Sequence, residues 1–245
     1  MADKNFVEGR NPVIEAIKSG REIEKILIAK GSGKGSINKI KGMAKSKGIV
    51  VQYVNKNKID SMSRTNSHQG VIAIVSSYEY STIDDIFELA DKRGEKPFII
   101  ILDQITDPHN LGSIIRTAEC AGAHGIVIPK RRSVGLSAIV GKTSAGAVEY
   151  LPVARVSNIS FAIEELKEKG LWIYGADMIG EQVYYEADLK GPIGLVIGSE
   201  GKGISRLVKE KCDFLLKIPM RGKVSSLNAS VAASIMIYEV LRQRS

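Results

Sequence analysis

Two cysteines, three histidines and one tryptophan are all that this chain of 245 residues holds of those types. Each scarcity excludes something. Cys120 and Cys212 form no C-x-x-C and lie far apart, so a disulfide-stapled scaffold is ruled out. They read as small core residues of a reducing compartment. No zinc-ligand spacing arises from so few histidines and cysteines, and no metal is expected. Nothing suggests a Ser-His-Asp or Cys-His arrangement; His109 and His124 stay open between catalytic and structural roles. The longest aliphatic stretch, 98–102, falls far short of the ~20 residues that cross a bilayer. The opening MADKNFVEGRN lacks the apolar segment of a secretory signal. A cytoplasmic protein without a membrane partner is therefore expected.

What is present is ordinary in bulk and uneven in distribution. Hydrophobic residues make up 44% and charged residues 25%, as in globular chains. The length allows one large domain or two modest ones. Thirty-five basic against 27 acidic residues leave a net charge of +8, which favours a polyanionic partner. The excess is concentrated: residues 25–59 hold nine lysines and no acid. A solvated helix face and an anion-binding surface both account for such a run. GSGKGS (31–36) fails the G-x-x-x-x-G-K-[ST] pattern and reads as a flexible basic loop. No G-x-G-x-x-G follows a strand, so a Rossmann dinucleotide site is not supported.

Periodicity divides the chain. In residues 1–76 a helix is expected after Asn11-Pro12, then strands at Lys25–Ala29, 49–54 and 70–76, with a lysine-rich helix between the first two. Residues 77–95 are polar and acidic, carry one short amphipathic helix, and read as the linker. From residue 96 to 245, apolar runs alternate with helices. FIIILD (98–103), GIVIP (125–129), PVARV (152–156), LWIYGAD (171–177), IGLVIG (193–198) and FLLKIP (214–219) are the expected strands. Such alternation implies an α/β fold with a parallel sheet covered on both faces.

Three segments carry candidate chemistry. In LDQITDPHNLGSIIRTAECAG (102–122), Leu111, Ile114, Ile115 and Ala118 form a helical stripe that leaves Arg116 on another face, while Asn110 stands near the helix start, where it caps at most. In LVIGSEGKGISRLV (195–208), a strand runs into Gly198, Gly201 and Gly203, which permit positive φ and close backbone approach to a ligand. A tight strand-to-helix turn explains them equally, although ligands in open α/β sheets lie outside the carboxyl ends of strands. In IPMRGKVSSLNASVAASIMIYEVLRQR (218–244), the last helix, expected over 227–242, is apolar or small nearly all round and is expected to be buried. The Ser-Ser-Leu-Asn cluster at its start is costly to bury unless paired.

Together these segments resemble the SpoU/TrmH family of RNA ribose 2′-O-methyltransferases, within the SPOUT superfamily. The resemblance rests on N-x-G-x-x-x-R-T at Asn110–Thr117, GSEGKG at 198–203 and IPM-R-G-x-V-x-S-L-N-x-S at 218–230. GRNPVIEAI (9–17) and SHQGV (67–71) resemble the substrate-binding domain of an RlmB-like subgroup, which methylates a guanosine of large-subunit ribosomal RNA. The resemblance implies a C-terminal SPOUT domain with a deep trefoil knot, and a small N-terminal α/β domain similar to ribosomal RNA-binding proteins. It also implies a homodimer, S-adenosylmethionine as methyl donor, and 23S ribosomal RNA as partner. Periodicity alone argues against a knot, since threaded connections are very rare.

Site residues follow from the same resemblance. Arg116 is placed at the ribose hydroxyl, with Asn110 orienting it or the ribose, Glu200 positioning it or a hydrogen-bond network of the site, and Ser226 and Asn228 fixing the loop and substrate. Gly198, Gly201, Ile218, Met220, Leu227 and Ser230 would surround the donor. Arg10, Lys39, Lys41, Lys45 and Lys47 are the candidate RNA contacts. Modification of transfer RNA or of another ribosomal site, and a non-catalytic RNA-binding module, are the alternatives.

Overall fold

The computed structural model describes residues 5–245 except 20, 22, 33–34, 64–66, 76–77 and 224–225. Part of the GSGKGS loop, the end of the expected strand 70–76, and Val224 and Ser225 of the third segment therefore lie outside the described residues. The chain divides into two compact units. One is Met1–Glu79 with Leu136–Ala138, and the other is Tyr80–Gly135 with Ile139–Ser245.

The N-terminal unit runs β1 (Asn5–Glu8), α1 (Arg10–Lys18), β2 (Ile23–Ala29), α2 (Ser36–Ser46), β3 (Val50–Val54), α3 (Lys56–Asp60) and β4 (Val71–Val75). Its sheet has the order β1-β4-β2-β3, with β2 and β3 parallel and β4 antiparallel to both β1 and β2. Alternation along the strands decides what each face buries. Ile26, Ile28, Val71, Ala73 and Val75 pack under Val13, Ile17, Ile37 and Ile40 of α1 and α2. Leu27, Ala29, Ile72 and Ile74 face the other way, onto Ile59 of α3. The strand β1 and the helix α3 were not expected; both are too short to show a period.

The C-terminal unit runs α4 (Ile83–Arg93), β5 (Phe98–Asp103), α5 (Pro108–Cys120), β6 (Gly125–Pro129), α6 (Ala138–Thr143), β7 (Val153–Val156), α7 (Ile159–Glu168), β8 (Trp172–Ala176), β9 (Gln182–Val183), β10 (Ile193–Gly198), α8 (Arg206–Lys209), β11 (Phe214–Lys217) and α9 (Ala229–Arg244). The seven strands are all parallel, in the order β7-β6-β5-β10-β8-β11-β9. On one face Ile99, Ile101, Val127, Ile173 and Val196 pack against α4, α7 and α8. On the other, α5 and α9 pack on each other and on β6 and β10.

Several expectations need correction. Helix α4, inside the stretch read as a linker, packs into the C-terminal core through Ile83 and Ile86. A Thr82–Asp85 capping box starts it and left-handed Gly94 ends it. The helix expected from Asn110 begins at Pro108, with Asp107 as its cap accepting from His109 N. Asn110 therefore lies within the first turn, buried. Helix α9 is only partly covered: Val231 and Tyr238 are about half exposed, while other faces pack on α5, β10 and the turn at Tyr184–Glu186. Cys120 is exposed rather than in the core. Cys212 packs against the core, and burial pushes its thiol up to about 12, which makes it a poor nucleophile.

His124 is structural. Fully buried, its Nδ1 accepts from Phe98 N at 3.0 Å, which leaves Nε2 to donate to Glu95 at 2.9 Å. Desolvation holds its pKa below the ordinary 6.5, against the opposing pull of Glu95. The unfolded chain therefore takes up a proton here before the folded chain does. Stability from this site is complete above about 6.5 and is lost as pH falls toward the lower folded value. Urea midpoints should drop between pH 7.5 and 5.5, and His124→Gln should flatten that drop.

Candidate functional site

Because all seven strands of the C-terminal sheet are parallel, their carboxyl ends share one edge. Strand order reverses between β5, from which the chain steps outward to β6 and β7, and β8 on the opposite side. Such a reversal opens a crevice at the carboxyl edge. Here β10 fills the middle, so the loop after it emerges in that crevice.

The loop is tightly made. Ser199 and Gly203 exchange backbone hydrogen bonds of 3.1 and 2.8 Å, closing the turn on itself. Gly201 and Gly203 have φ of 80° and 65°. Gly198 is glycine for a different reason: a Cβ there would lie 2.0 Å from the Gly203 carbonyl carbon. Asp103, buried at the end of β5, accepts from Ser205 N at 2.7 Å and pins the far end of the loop.

Against this loop lies a pocket of about 290 Å³, near the lower limit of ligand pockets at ~300 Å³. Ile197, Leu216, Ile218, Met220 and Leu227 give it apolar walls, and Ala229 and Ala232 of α9 close its back. Asp177 and Lys209, paired at 2.6 Å, form one polar side. Of the expected residues, Gly198, Gly201, Ile218, Met220 and Leu227 line it, with Glu200 and Ser226.

Asn228 and Ser230 stand beside the pocket rather than in its wall. Asn228 caps α9, its Oδ1 accepting from Ser230 N at 2.9 Å and Ser230 Oγ at 2.7 Å. Its Nδ2 donates to Glu200 across 3.4 Å, which joins the second and third sequence segments. From Ser230 the line continues. Ser234 Oγ donates to Ser230 O at 2.7 Å and lies 3.1 Å from Thr117 Oγ1 of α5. Polar contacts thus run from the glycine loop along α9 to the residue next to Arg116.

Arg116 itself is exposed and does not line the pocket. Its helix turns the stripe of Leu111, Ile114, Ile115 and Ala118 inward, and that leaves Arg116 outside. Ser234, which meets α5, lies five residues beyond Ala229, ~7.5 Å along the helix axis. The helix that carries Arg116 thus meets α9 about one and a half turns beyond Ala229 of the pocket wall, and Arg116 points to solvent.

Asp103, Asp177 and Lys209 were missed from the sequence. The signal available for the two acids was position, since each follows the apolar run of a strand at its carboxyl end. Lys209 sits in an unremarkable helix and carried no such signal. Among the described residues, no group of three or more His, Cys, Asp or Glu is arranged to hold a metal ion. No helix among them is long and apolar enough to cross a membrane.

The N-terminal candidates lie in the other unit. Lys39, Lys41 and Lys45 are exposed on α2, with Lys41 Nζ 5.4 Å above the Tyr53 ring. Lys47 is exposed yet engaged, donating to Ile17 O at 2.6 Å at the end of α1. Arg10 donates through Nε to Gln69 O at 3.2 Å, joining GRNPVIEAI to SHQGV.

Comparison with known proteins covers both units. The sequence profile of the SpoU rRNA Methylase family matches residues 97–238. A profile for RNA 2′-O ribose methyltransferase substrate binding matches 6–81. YacO of Bacillus subtilis, assigned to the TrmH family of tRNA/rRNA methyltransferases, is 53% identical over 240 residues, 98% of this chain and 96% of that protein. The crystal structure of the SpoU methyltransferase AviRb from Streptomyces viridochromogenes is similar with a TM-score of 0.63 and 25% identity, covering 98% of this chain and 90% of that one. An AdoMet-bound rRNA methyltransferase from Sinorhizobium meliloti is similar with a TM-score of 0.60 and 28% identity, covering 97% and 86%.

Proposed function

The chain belongs to the SpoU rRNA methylase family and is an RNA methyltransferase that uses S-adenosylmethionine, and on that premise we propose that it methylates a ribose 2′-hydroxyl, that of a guanosine in 23S ribosomal RNA. The observation that carries this reading is the pocket at the strand-order reversal, whose walls come from the second and third sequence segments together. Its residues fit the donor. Apolar side chains suit an adenine and a thioether, and the glycine loop offers backbone approach that a side chain would block. Gly198, Gly201, Ile218, Met220 and Leu227 would hold it, with Ser230 supporting the loop from α9. When bound, the donor supplies a methyl group already activated on a sulfonium, so the reaction calls for no metal.

The protein's own residues align the hydroxyl and ease loss of its proton. Arginine side chains hold their protons, so Arg116 is not the base. It stabilises the developing alkoxide charge or grips the adjacent phosphate, with proton loss assisted by that phosphate. Asn110, about one and two-thirds turns earlier on α5, orients Arg116 or the ribose. Glu200 and Asn228 hold the polar network that reaches Thr117, and Ser226 fixes the loop and substrate.

Lys39, Lys41, Lys45, Lys47 and Arg10 supply phosphate contacts from the N-terminal unit, Lys47 and Arg10 doubling as ties within the fold. A homodimer belongs to the same proposal, supported by the open apolar positions Val231 and Tyr238 on α9. The trefoil knot does too. It is supported by the path of the chain, which places β10 between β5 and β8, β11 beyond β8, and α9 back against β10 and α5. The location proposed is the cytoplasm.

The name of the Bacillus relative spans transfer and ribosomal RNA, which favours a second target class as the alternative. A ribose-methylation map of total RNA from cells with and without the protein decides. One 23S guanosine losing its methyl group is the expected result. Loss at a transfer RNA position would replace the target, and an unchanged map would overturn the proposed activity.

A further inference from the structure

We infer that the basic loop Lys130-Arg131-Arg132, after β6, is a phosphate-binding surface that fixes the RNA strand beside the methyl-transfer pocket. The inference rests on the RNA-substrate reading and adds to it a surface outside the three sequence segments.

The three side chains are consecutive, exposed and without an ion pair among the described residues. Lys167, Lys169, Lys209, Lys211 and Arg242 of the same unit are each matched to a carboxylate, whereas here three cations in a row are not. Three adjacent unmatched cations repel one another, and a flexible loop would spread them apart.

This loop is instead fastened at both ends. Lys130 N donates to Val156 O at 2.8 Å, and Lys130 O accepts from Arg155 Nη2 at 3.4 Å. Ser133 Oγ and Val134 N both donate to Ile105 O, at 2.9 and 2.8 Å. Between these ties Arg132 holds a left-handed backbone with φ of 58°, a conformation that a side chain of this size rarely adopts. The backbone is thus built to hold the charges in place rather than to let them relax.

The place is informative. Strand β6 lies beside β5, and β5 beside β10, all parallel. At ~4.8 Å per strand, the end of β6 is about 10 Å from the end of β10, where the glycine loop begins. Ile105, the anchor of the basic loop, belongs to the connection into α5, which carries Asn110 and Arg116. Basic loop, Arg116 helix and glycine loop therefore leave from neighbouring strand ends on one edge. Arginine forks suit phosphate oxygens. A strand gripped there would present one nucleotide to the pocket and its neighbours to the loop.

The test compares the full chain with a Lys130→Gln/Arg131→Gln/Arg132→Gln variant, using transcribed 23S ribosomal RNA at several salt concentrations. Three lost phosphate contacts should reduce the slope of log affinity against log salt by roughly 2. A fourfold rise in salt should then cost the wild type roughly twentyfold more affinity than the variant. The RNA KM should rise with kcat retained at saturating RNA, and calorimetric S-adenosylhomocysteine affinity should match wild type. A control variant, Lys92→Gln/Arg93→Gln/Lys96→Gln, removes equal charge at the opposite edge of the sheet. An unchanged slope in the loop variant, or an equal change in the control, would overturn the inference. A wild-type chain with no salt-dependent RNA binding would instead sink the RNA-substrate reading beneath it.

Discussion

Single-turnover methyl transfer by an Arg116→Ala variant should run ~10²–10³ slower than wild type, the usual effect of losing one charge stabiliser in the transition state. Fold and donor affinity should survive. Arg116 is exposed, contributes nothing to the α5 stripe and does not line the pocket. Arg116→Lys should rescue poorly, because an ammonium does not reproduce the planar fork. A non-catalytic RNA-binding module would show no transfer in the wild type to lose. Full activity in Arg116→Ala would return the residue to the solvated surface. Its absence from the pocket wall sharpens the question of which pocket it serves. Co-expressing Arg116→Ala with a donor-deficient variant answers it. If the arginine serves a second copy's pocket, random dimers should recover about a quarter of wild-type sites, and none if it serves its own.

The donor-deficient variant with the firmest physical basis is Gly198→Ala. Its Cβ would stand 2.0 Å from Gly203 C and 2.2 Å from Ile204 N, and backbone atoms cannot rotate aside. The turn must open. Forced overpacking of this kind costs ~1–3 kcal/mol, or about 5- to 150-fold in donor affinity if it falls on the loop alone. Isothermal titration with S-adenosylhomocysteine measures the loss, and a urea midpoint shows how much falls on the fold instead. Gly201→Ala is the comparison. Space around Gly201 is open, and only its φ of 80° opposes a side chain, a strain of roughly 1–2 kcal/mol. Wild-type affinity in Gly198→Ala would show that this turn does not shape the donor site.

The strands of the C-terminal sheet were legible because each is a continuous apolar run, and IGLVIG and FIIILD pair in the structure over those same residues. Their order was not legible. Nothing in IGLVIG says that it inserts between β5 and β8, since that depends on which edges remain open when it arrives. The same limit applies to α9. Its composition reads as buried on all sides, and whether a face is covered depends on partners that a sequence period does not count. Of the candidate site, the glycines were readable because turn chemistry is local, whereas the cap at Asn228 was not, the helix being expected from 227 and starting at Ala229. Asp177 and Lys209 were not, because they meet only once β8 and α8 are folded side by side.

The placement of β10 has a kinetic consequence. Its partners β5 and β8 begin at Phe98 and Trp172, and the gap between them stays open until Ile193–Gly198 has been made and has entered it. Until then two largely apolar strands, FIIILD and WIYGA, keep the edges that β10 will pair open. Long-range parallel pairing of this kind is slow, because chain closure is opposed by entropy before any pairing is gained. During synthesis the nascent chain therefore carries the open β5 edge from Asp103 onward, joined by the β8 edge after Ala176, until Ile193–Gly198 emerges. Closing the gap and placing the glycine loop are one event, since the strand that seals the gap is the strand that ends in that loop, and the pocket is finished when β11 and α9 add their walls. A chain arrested before that event is not a weakened protein but an aggregation-prone chain without a finished pocket.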